Sequence, residues 1–531
     1  MSVLLALLAP GVWAQPRVHP GGVRNAAGLT PPGLPGSPIA RGALVSIFGV
    51  ELGPAQGVQG RGEPLQPELG GVSLVVIDAA GFEHRSYPIF VSRGQINALM
   101  PCSAPPGPGR VVVTVNGLRS PPSDPFQIVR RNFQLFTRNT RGYGPAVAEM
   151  VRNGEAVFTS AATPVAPGQP VALWGGGLGF CEETFDEEPL RVLIGNQPAL
   201  VLGRERSAEV PGIEKISVLV PPDAPQACYV PVVVRSGAFY SNFGSLAISR
   251  NPQGCLDKLN GFSLLASKLQ QGPVSWARIH LLRGAGVFER PGILTLETSS
   301  ELAEAGFFRF GFESFDDGFQ YPPPGTCLVT PLATGTAVSS IGRPRPLDAG
   351  RLDILGPWEL SFSREADGFY RRRLSPTPFE ARPSEFVLPN SQYAVIGRGG
   401  SQVGPFQASI RLPQFPEWTN REVLPFRLSR AAPIVLAWWG GDPGREFIAI
   451  RGFVFDRRTT LGRDFICTAA VEARTFTLPE SLVWSLPSSP QDAFVSVGAV
   501  PLLAGPNFRA AGIDYGFFTY EIASGRNFAL E

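Results

Sequence analysis

Ser37-Pro38-Ile39-Ala40-Arg41-Gly42-Ala43-Leu44-Val45-Ser46-Ile47-Phe48-Gly49 returns later in the chain as Thr163-Pro164-Val165-Ala166-Pro167-Gly168-Gln169-Pro170-Val171-Ala172-Leu173-Trp174-Gly175. Both stretches pass from a proline- and glycine-bearing turn into an alternating apolar strand that ends on glycine. Two further segments also recur. Leu99-Met100-Pro101 returns as Leu219-Val220-Pro221, and Thr114-Val115-Asn116-Gly117 as Val234-Arg235-Ser236-Gly237. The offset is 126 positions at the front and 120 at the back, so the second copy has a shorter internal loop. A period of this size is that of a duplicated domain, not of a solenoid unit.

Composition narrows the class. The chain of 531 residues is long enough for three or four domains. Apolar residues make up 44%, enough for several cores, while charged residues reach only 17% with a net charge of +2. That balance lacks the basic footprint of a nucleic-acid binder. It also lacks the charge excess of a disordered chain. The 61 glycines and 54 prolines are spread along the chain, as expected for turns between many short strands. Lysine is confined to Lys215, Lys258 and Lys268, so arginine carries the positive charge.

Met1-Ser2-Val3-Leu4-Leu5-Ala6-Leu7-Leu8-Ala9-Pro10-Gly11-Val12-Trp13-Ala14 is too short an apolar run to span a bilayer. Val12-Trp13-Ala14 has the small-residue spacing of a cleavage site, so residues 1–14 are expected to be a signal peptide. The mature protein then starts near Gln15 and works outside the cytoplasm, secreted or periplasmic, with no membrane span. Six cysteines in an exported chain favour disulfides. None lies in a CxxC pair, which argues against a structural zinc site. The expected pairing joins Cys181 to Cys228 within the second repeat. Cys255 then pairs with Cys327, or one of these two reaches Cys467.

The strand pattern gives an all-β fold: tandem immunoglobulin-like β-sandwiches, then a β-rich C-terminal region with at most one or two short helices. Repeat 1 is placed at 23–130 and repeat 2 at 131–250. A β-rich linker domain follows at 255–345, with a short helix over Ser263-Leu264-Leu265-Ala266-Ser267-Lys268-Leu269. A C-terminal sandwich-like domain takes 346–531. Asn116-Gly117 is a strong hairpin signal, and Gly195-Asn196 supplies another turn. In the C-terminal half, short strands are expected at Ala277–Leu281, Ile293–Leu296 and Phe307–Phe312. Ile434–Trp439 is expected to pair with Phe447–Phe453 across Gly440-Gly441-Asp442-Pro443-Gly444, and Leu482–Leu486 to form a strand.

Several of these segments together resemble one known module. Val23-x-Asn25-Ala26-Ala27, the Pro38–Gly49 stretch, Ser92-x-Gly94-Gln95-Ile96-Asn97 and Val113-Thr114-Val115-Asn116-Gly117 resemble the Solibacter-type uncharacterised C-terminal domain of secreted acidobacterial proteins. Its repeats are similar to the IPT/TIG immunoglobulin-like fold. The resemblance covers 23–250. The second copy departs from it, with Gly212-Ile213-Glu214-Lys215-Ile216 where Gly-Gln-Ile-Asn would stand. The resemblance implies export and a β fold, and brings no activity, catalytic residue or cofactor.

The residues themselves offer little chemistry. The three histidines, His19, His84 and His280, are far apart, and His280 is expected on the polar face of a surface strand. No HExxH or GxSxG motif occurs. Gly175-Gly176-Gly177-Leu178-Gly179 follows a strand but opens no helix, so it reads as a bend and not a phosphate cradle. The acidic run Glu182, Glu183, Asp186, Glu187, Glu188 lacks calcium-loop spacing, and Phe315-Asp316-Asp317-Gly318 reads as a turn. Glu301, Glu304 and Glu313 are carboxylates of the type a glycosidase pairs, without a readable separation. Trp358, Trp418, Trp438, Trp439 and Trp484 gather in the C-terminal region, and adjacent Trp438 and Trp439 must point to opposite faces of a strand. No catalytic, cofactor or metal site is expected. The reading is an exported, non-catalytic interaction or adhesion protein with an unknown protein or glycan partner at the cell surface. The alternatives are carbohydrate binding by stacking on Trp438 or Trp439, and an extracellular hydrolase with its site in 255–531.

Overall fold

Val72–Ile77 alternates buried and half-buried positions, with Val72, Leu74 and Val76 turned inward against Val111, Val113 and Val115. Alternation of this kind is what a strand with one face on a core requires. It recurs throughout a computed structural model that describes residues 15–60, 64–181, 190–261, 271–311, 321–332, 344–374 and 385–531. The expected signal peptide at 1–14, the helix at 263–269, the acidic run at 182–188, Glu313 and the turn at 315–318 lie outside the described residues.

The duplication is visible in the strand order. In the first copy the order is Leu44–Val50, Gln95–Leu99, Glu83–Val91, Val72–Ile77, Gly107–Val115, Phe126–Val129. In the second it is Pro170–Gly176, Glu214–Leu219, Gln197–Arg206, Leu190–Ile194, Ala227–Ser236, Gly244–Ile248. Each strand occupies the place of its counterpart. Even the parallel contact of Ile39 with Ile128 returns as Val165 with Ile248. Asn116 and Gly117 both have positive φ (48° and 83°), as do Gly195 and Asn196 (59° and 65°). These are the mirror-image turns that match the twist of a hairpin. The protein is all-β, with tandem immunoglobulin-like sandwiches ahead of a β-rich C-terminal region.

That C-terminal region is built on one large sheet. Its principal strands are β1 (Val274–Arg290), β2 (Leu294–Phe310), β3 (Thr326–Pro331), β4 (Glu446–Asp456), β5 (Leu461–Ala470), β6 (Ser489–Pro501) and β7 (Tyr515–Leu530). They lie in the order β3-β5-β4-β6-β7-β1-β2. β1 and β7 run parallel, and the other neighbours are antiparallel. The sheet therefore joins strands from the stretches 255–345 and 346–531, which the sequence assigns to two separate units. One face packs on a four-stranded sheet around Ile354, Tyr393 and Val395. The same face packs further along on the three-stranded sheet of Glu417–Trp418, Val435–Trp439 and Thr475–Thr477, with helix α1 (Glu480–Ser485) beside it.

Four local expectations are corrected. Ile293–Leu296 and Phe307–Phe312 are not two strands: Leu294 to Phe310 is one strand, paired along its whole length with β1. Val435–Trp439 does not pair with β4. Gly440 and Gly441, both at positive φ (88° and 82°), turn the chain through a corner into the other layer. Leu482–Leu486 is not a strand but lies in and just after α1. Pro479 precedes the helix, Glu480 opens it, and Leu482, Val483 and Leu486 are buried. Finally, Cys181 does not pair with Cys228.

The bonds are Cys102–Cys181, Cys228–Cys255 and Cys327–Cys467. The first joins the two repeats. The second ties repeat 2 to the segment that follows it. The third, an alternative the sequence left open, links directly opposed residues of β3 and β5, with Cα atoms 4.0 Å apart. Contacts also run between distant parts of the chain: Arg463 on β5 donates to the Pro35 carbonyl at 3.1 Å and to Thr30 at 3.3 Å in the first repeat.

Replacing Cys327 and Cys467 together by serine removes a cross-link closing a loop of 140 residues. The expected cost is roughly 2–5 kcal/mol, read as a lower thermal midpoint for the double variant. Peptide mapping without reductant should recover the three pairings above and no Cys181–Cys228 peptide.

Candidate functional site

Strand alternation divides β7 into two sets. Phe518, Tyr520 and Ile522 enter the core with the four-stranded sheet. Thr519 and Glu521 point to the opposite face, where β1 brings His280 beside Thr519. His280 is not on the surface, as the sequence led us to expect. It is 7% exposed and sits in a polar network. Its Nδ1 lies 2.6 Å from the Thr519 hydroxyl, and its Nε2 lies 4.0 Å from Glu521. Tyr321 donates to Glu521 at 3.1 Å, and Arg451 donates to both Glu521 and Tyr321 at 2.7 Å. Burial, reinforced by Arg278 and Arg451, holds the imidazole well below its ordinary pKa, so the ring is neutral. Threonine, histidine and glutamate stand in the order of a hydrolytic triad, although here Nδ1 instead of Nε2 meets the hydroxyl, and Nε2 lies beyond hydrogen-bond distance of Glu521. Thr519, however, is 1% exposed, so a substrate carbonyl has no approach to its hydroxyl. The network is a means of burying polar groups with partners.

The carboxylates do not converge. Glu301 and Glu304 are three residues apart on β2 and face opposite sides of the sheet. Glu301 accepts the backbone N–H groups of Phe386 (2.7 Å) and Val387 (3.1 Å). Glu304 instead pairs with Arg371 at 2.8 Å. His84 is held by Asp78 at 2.9 Å and Ser103 at 3.2 Å, and His19 lies on the exposed side of the first strand, Arg17–Asn25. Among the described residues no cluster of three or more His, Cys, Asp or Glu is placed to hold a metal ion.

The glycine stretch at 175–179 has an occupant from its own chain. Gly177 and Leu178 N–H donate to one Glu214 oxygen at 2.7 and 2.6 Å. Gly177 and Gly179 take positive φ (109° and 82°) to aim the loop. The amides that would cradle a phosphate are thus closed by a buried carboxylate, which stands in the segment where the second copy departs from the first. Sequence reasoning saw the departure but not its purpose.

The tryptophan pair divides as alternation requires. Trp438 is 2% exposed and donates its indole N–H to the Val471 carbonyl at 3.0 Å. Trp439 is 67% exposed, with the Arg474 guanidinium 4.5 Å from its ring centre. Of this pair, Trp439 is the one whose ring is open to a ligand.

A second aromatic surface went unread in the sequence. Phe288 on β1, Phe494 on β6 and Phe453 on β4 stand in one transverse row across the large sheet. Ring centres are 5.6 Å apart between Phe288 and Phe494, and 5.7 Å apart between Phe494 and Phe453. The interplanar angles are 16° and 21°. The row lines a cavity of about 320 Å³. Phe288 and Phe494 are 206 positions apart in the chain, and only the strand order brings the three together.

No family model matches the chain, and no curated protein matches it. Among solved structures it is similar to the Bacteroides ovatus mixed-linkage glucan utilization locus SGBP-B in complex with a mixed-linkage heptasaccharide. Identity is 11% over 38% of this chain and 45% of that one, with TM-score 0.18. The chain thus matches less than half the length of that protein. It is also similar to a tetra-tandem repeat in the extending region of a large adhesion protein (11% identity, 93% and 96% coverage, TM-score 0.13). A third likeness is to the I9–I11 tandem from titin (7% identity, 71% and 94% coverage, TM-score 0.13). Likenesses this distant carry no functional argument.

Burial pushes the Glu214 carboxyl up to about 7 from 4.5, against the pull of the Leu178 and Gly177 amides and Arg206. The folded state therefore keeps a proton that the unfolded chain releases, and stability is lost as pH rises from 4.5 towards 7. Glu214→Gln keeps the acceptor and removes the titration. In unfolding scans between about pH 5 and 7, the wild type should lose up to roughly 3 kcal/mol that the variant retains.

Proposed function

We propose that this protein is exported and works outside the cytoplasm as a non-catalytic binding protein, its immunoglobulin-like repeats braced against a C-terminal sandwich that meets the partner. The observation that carries the reading is the closure of all six cysteines into disulfides, two of them fastening one unit to the next. Disulfides persist in oxidising compartments. The reading is supported by the burial of Thr519 and His280 and by the opposed directions of Glu301 and Glu304, which leave these candidate reactive groups without an open site. We further assign residues 23–130 and 131–250 to the two repeats, and the chain to the Solibacter-type family with IPT/TIG-like modules. The family's motif segments in this sequence fall on strands with counterparts in both copies.

A second reading, carbohydrate binding, is favoured by Trp439. Its ring is exposed and fixed by Arg474, whose Nη1 also donates to the Gly440 carbonyl at 2.8 Å. Sugar rings stack on such faces through their C–H groups.

Protein recovered from outside the producing cell should begin near Gln15 on N-terminal sequencing; a mature chain retaining Met1, found only in the cytoplasm, contradicts export. If Trp439 is the stacking residue, a bound glycan shifts tryptophan emission to shorter wavelength in the wild type, and Trp439→Ala abolishes that shift with its thermal midpoint unchanged.

A further inference from the structure

We propose that the open end of β2 takes an additional β-strand from a partner protein, an extended segment with acidic residues at its ends and apolar residues between them. This names the partner class of the extracellular binder read above and rests on that reading.

Pairing leaves the edge open. On one side β2 is paired with β1 along its whole length, without a bulge. On its other side it has partners only near its C-terminal end: the short strand Tyr370–Arg373 covers Leu302 to Ala305, and Arg345–Pro346 covers Phe308 and Arg309. Leu374 donates its N–H to the Glu301 carbonyl at 2.9 Å, and beyond it no described strand lies beside β2. Leu294 to Ser300 are all exposed. Backbone groups of successive strand residues point alternately to the two neighbouring strands. Glu301 turns its carbonyl outward, so Thr295, Glu297 and Ser299 also turn their N–H and C=O groups outward. These groups have no partner among the described residues. Neither proline, lysine nor a bulge guards the stretch, although edges are commonly guarded by such devices. The opposite edge of the sheet is different. There β3 ends in Pro331, and its Cys327 and Val329 pack in one cluster with Val233 and Phe243 of repeat 2.

Free donors and acceptors at strand spacing select an extended peptide backbone as the occupant. Side chains select its pattern. Leu294 and Leu296 point to the face that carries Phe288 and are 56% and 50% exposed. Apolar residues at the matching positions of an added strand would cover them. On the same face Arg290 stands opposite Leu294, and Arg373 stands opposite Leu302. Both arginines are exposed, and neither has an ion pair among the described residues. Leu294 and Leu302 are about 27 Å apart along the strand, so the two guanidinium groups bracket the open stretch. Glu297 faces the other side, and Glu304 is held by Arg371. A second copy of this chain fits less well. The register that pairs Leu294–Ser300 with itself sets Glu297 against Glu297, and like charges directly opposite destabilise a sheet.

The test is hydrogen–deuterium exchange of the full-length protein, resolved at single amides, with the end-capped synthetic peptide Asp-Thr-Val-Thr-Val-Thr-Asp as the probe. In the free protein the Thr295, Glu297 and Ser299 amides should exchange fast, and millimolar peptide should slow them at least tenfold. The same peptide with lysine in place of aspartate should bind tenfold or more weakly, and one N-methylated at its threonines should give no protection. Glu297→Pro removes an outward N–H, leaves the ladder to β1 intact and should abolish binding. Arg290→Glu combined with Arg373→Glu should weaken it tenfold or more with the thermal midpoint unchanged. No protection by the aspartate peptide overturns the proposal, as does equal protection by the lysine or the N-methylated peptide. Slow exchange of these amides in the free protein overturns it too, and sedimentation then tells a second copy from cover by the chain itself. Export is tested separately by the mature N-terminus, so failure here leaves the extracellular role standing.

Discussion

The parallel pairing of β1 with β7 is the constraint on which the C-terminal half depends. It joins residues about 240 positions apart in register from Trp276 opposite Tyr515 to Val287 opposite Arg526. A slip of one residue would turn every side chain of one strand to the wrong face. It would put Ile279 and Leu281 where the polar network lies and send His280 into the apolar layer. The register is held at its far end by side chains. Asn527 accepts the Glu289 N–H at 2.6 Å and donates to the Glu289 carbonyl at 3.0 Å, so it continues the ladder where backbone pairing stops. Arg526 adds its ion pair to Glu289.

A common use of acidic residues runs through the molecule. Glu214 closes the amides of Gly177 and Leu178, and Glu301 those of Phe386 and Val387. Glu446 takes the Asp442 N–H at 2.6 Å at the corner after Trp439. Asp348 takes the N–H groups of Gly350 and Ser401, and those bonds hold its carboxyl down to about 2. Each fixes a loop that has no regular strand partner. Buried backbone N–H groups need acceptors, and an irregular corner finds them in side chains. Carboxylates that look available for chemistry in a list of residues are here engaged in holding corners.

The two repeats were legible because duplication and alternation are local signals. Val45, Ile47, Val72, Leu74 and Val76 read inward from spacing alone, and Asn116-Gly117 declares its turn. The C-terminal sheet was less legible because its decisive contacts are long-range. The polar stretch Glu297 to Ser300 carries no strand signal of its own. It stays extended because β1 pairs with it residue by residue, although residues 294–300 are exposed. Leu482–Leu486 reads as a strand because a short apolar run does not distinguish strand from helix, and Pro479 and Glu480 stand at the start of the helix that forms. His280 sits in an alternating strand whose polar face is covered, which alternation cannot reveal. Trp439 could be separated from Trp438 by parity but not assigned a side, and the phenylalanine row had no sequence signature at all. Cysteine pairing followed spatial neighbours, with Cys102 and Cys181 meeting beside Gly42.

The bonds Cys102–Cys181 and Cys228–Cys255 sit at the two places where a chain of modules would otherwise hinge. Tension applied between the repeats and the large sheet thus passes through covalent struts as well as through the peptide chain. Each bond restrains the joint it spans, and a thiol reductant in the surroundings would remove that restraint at both places.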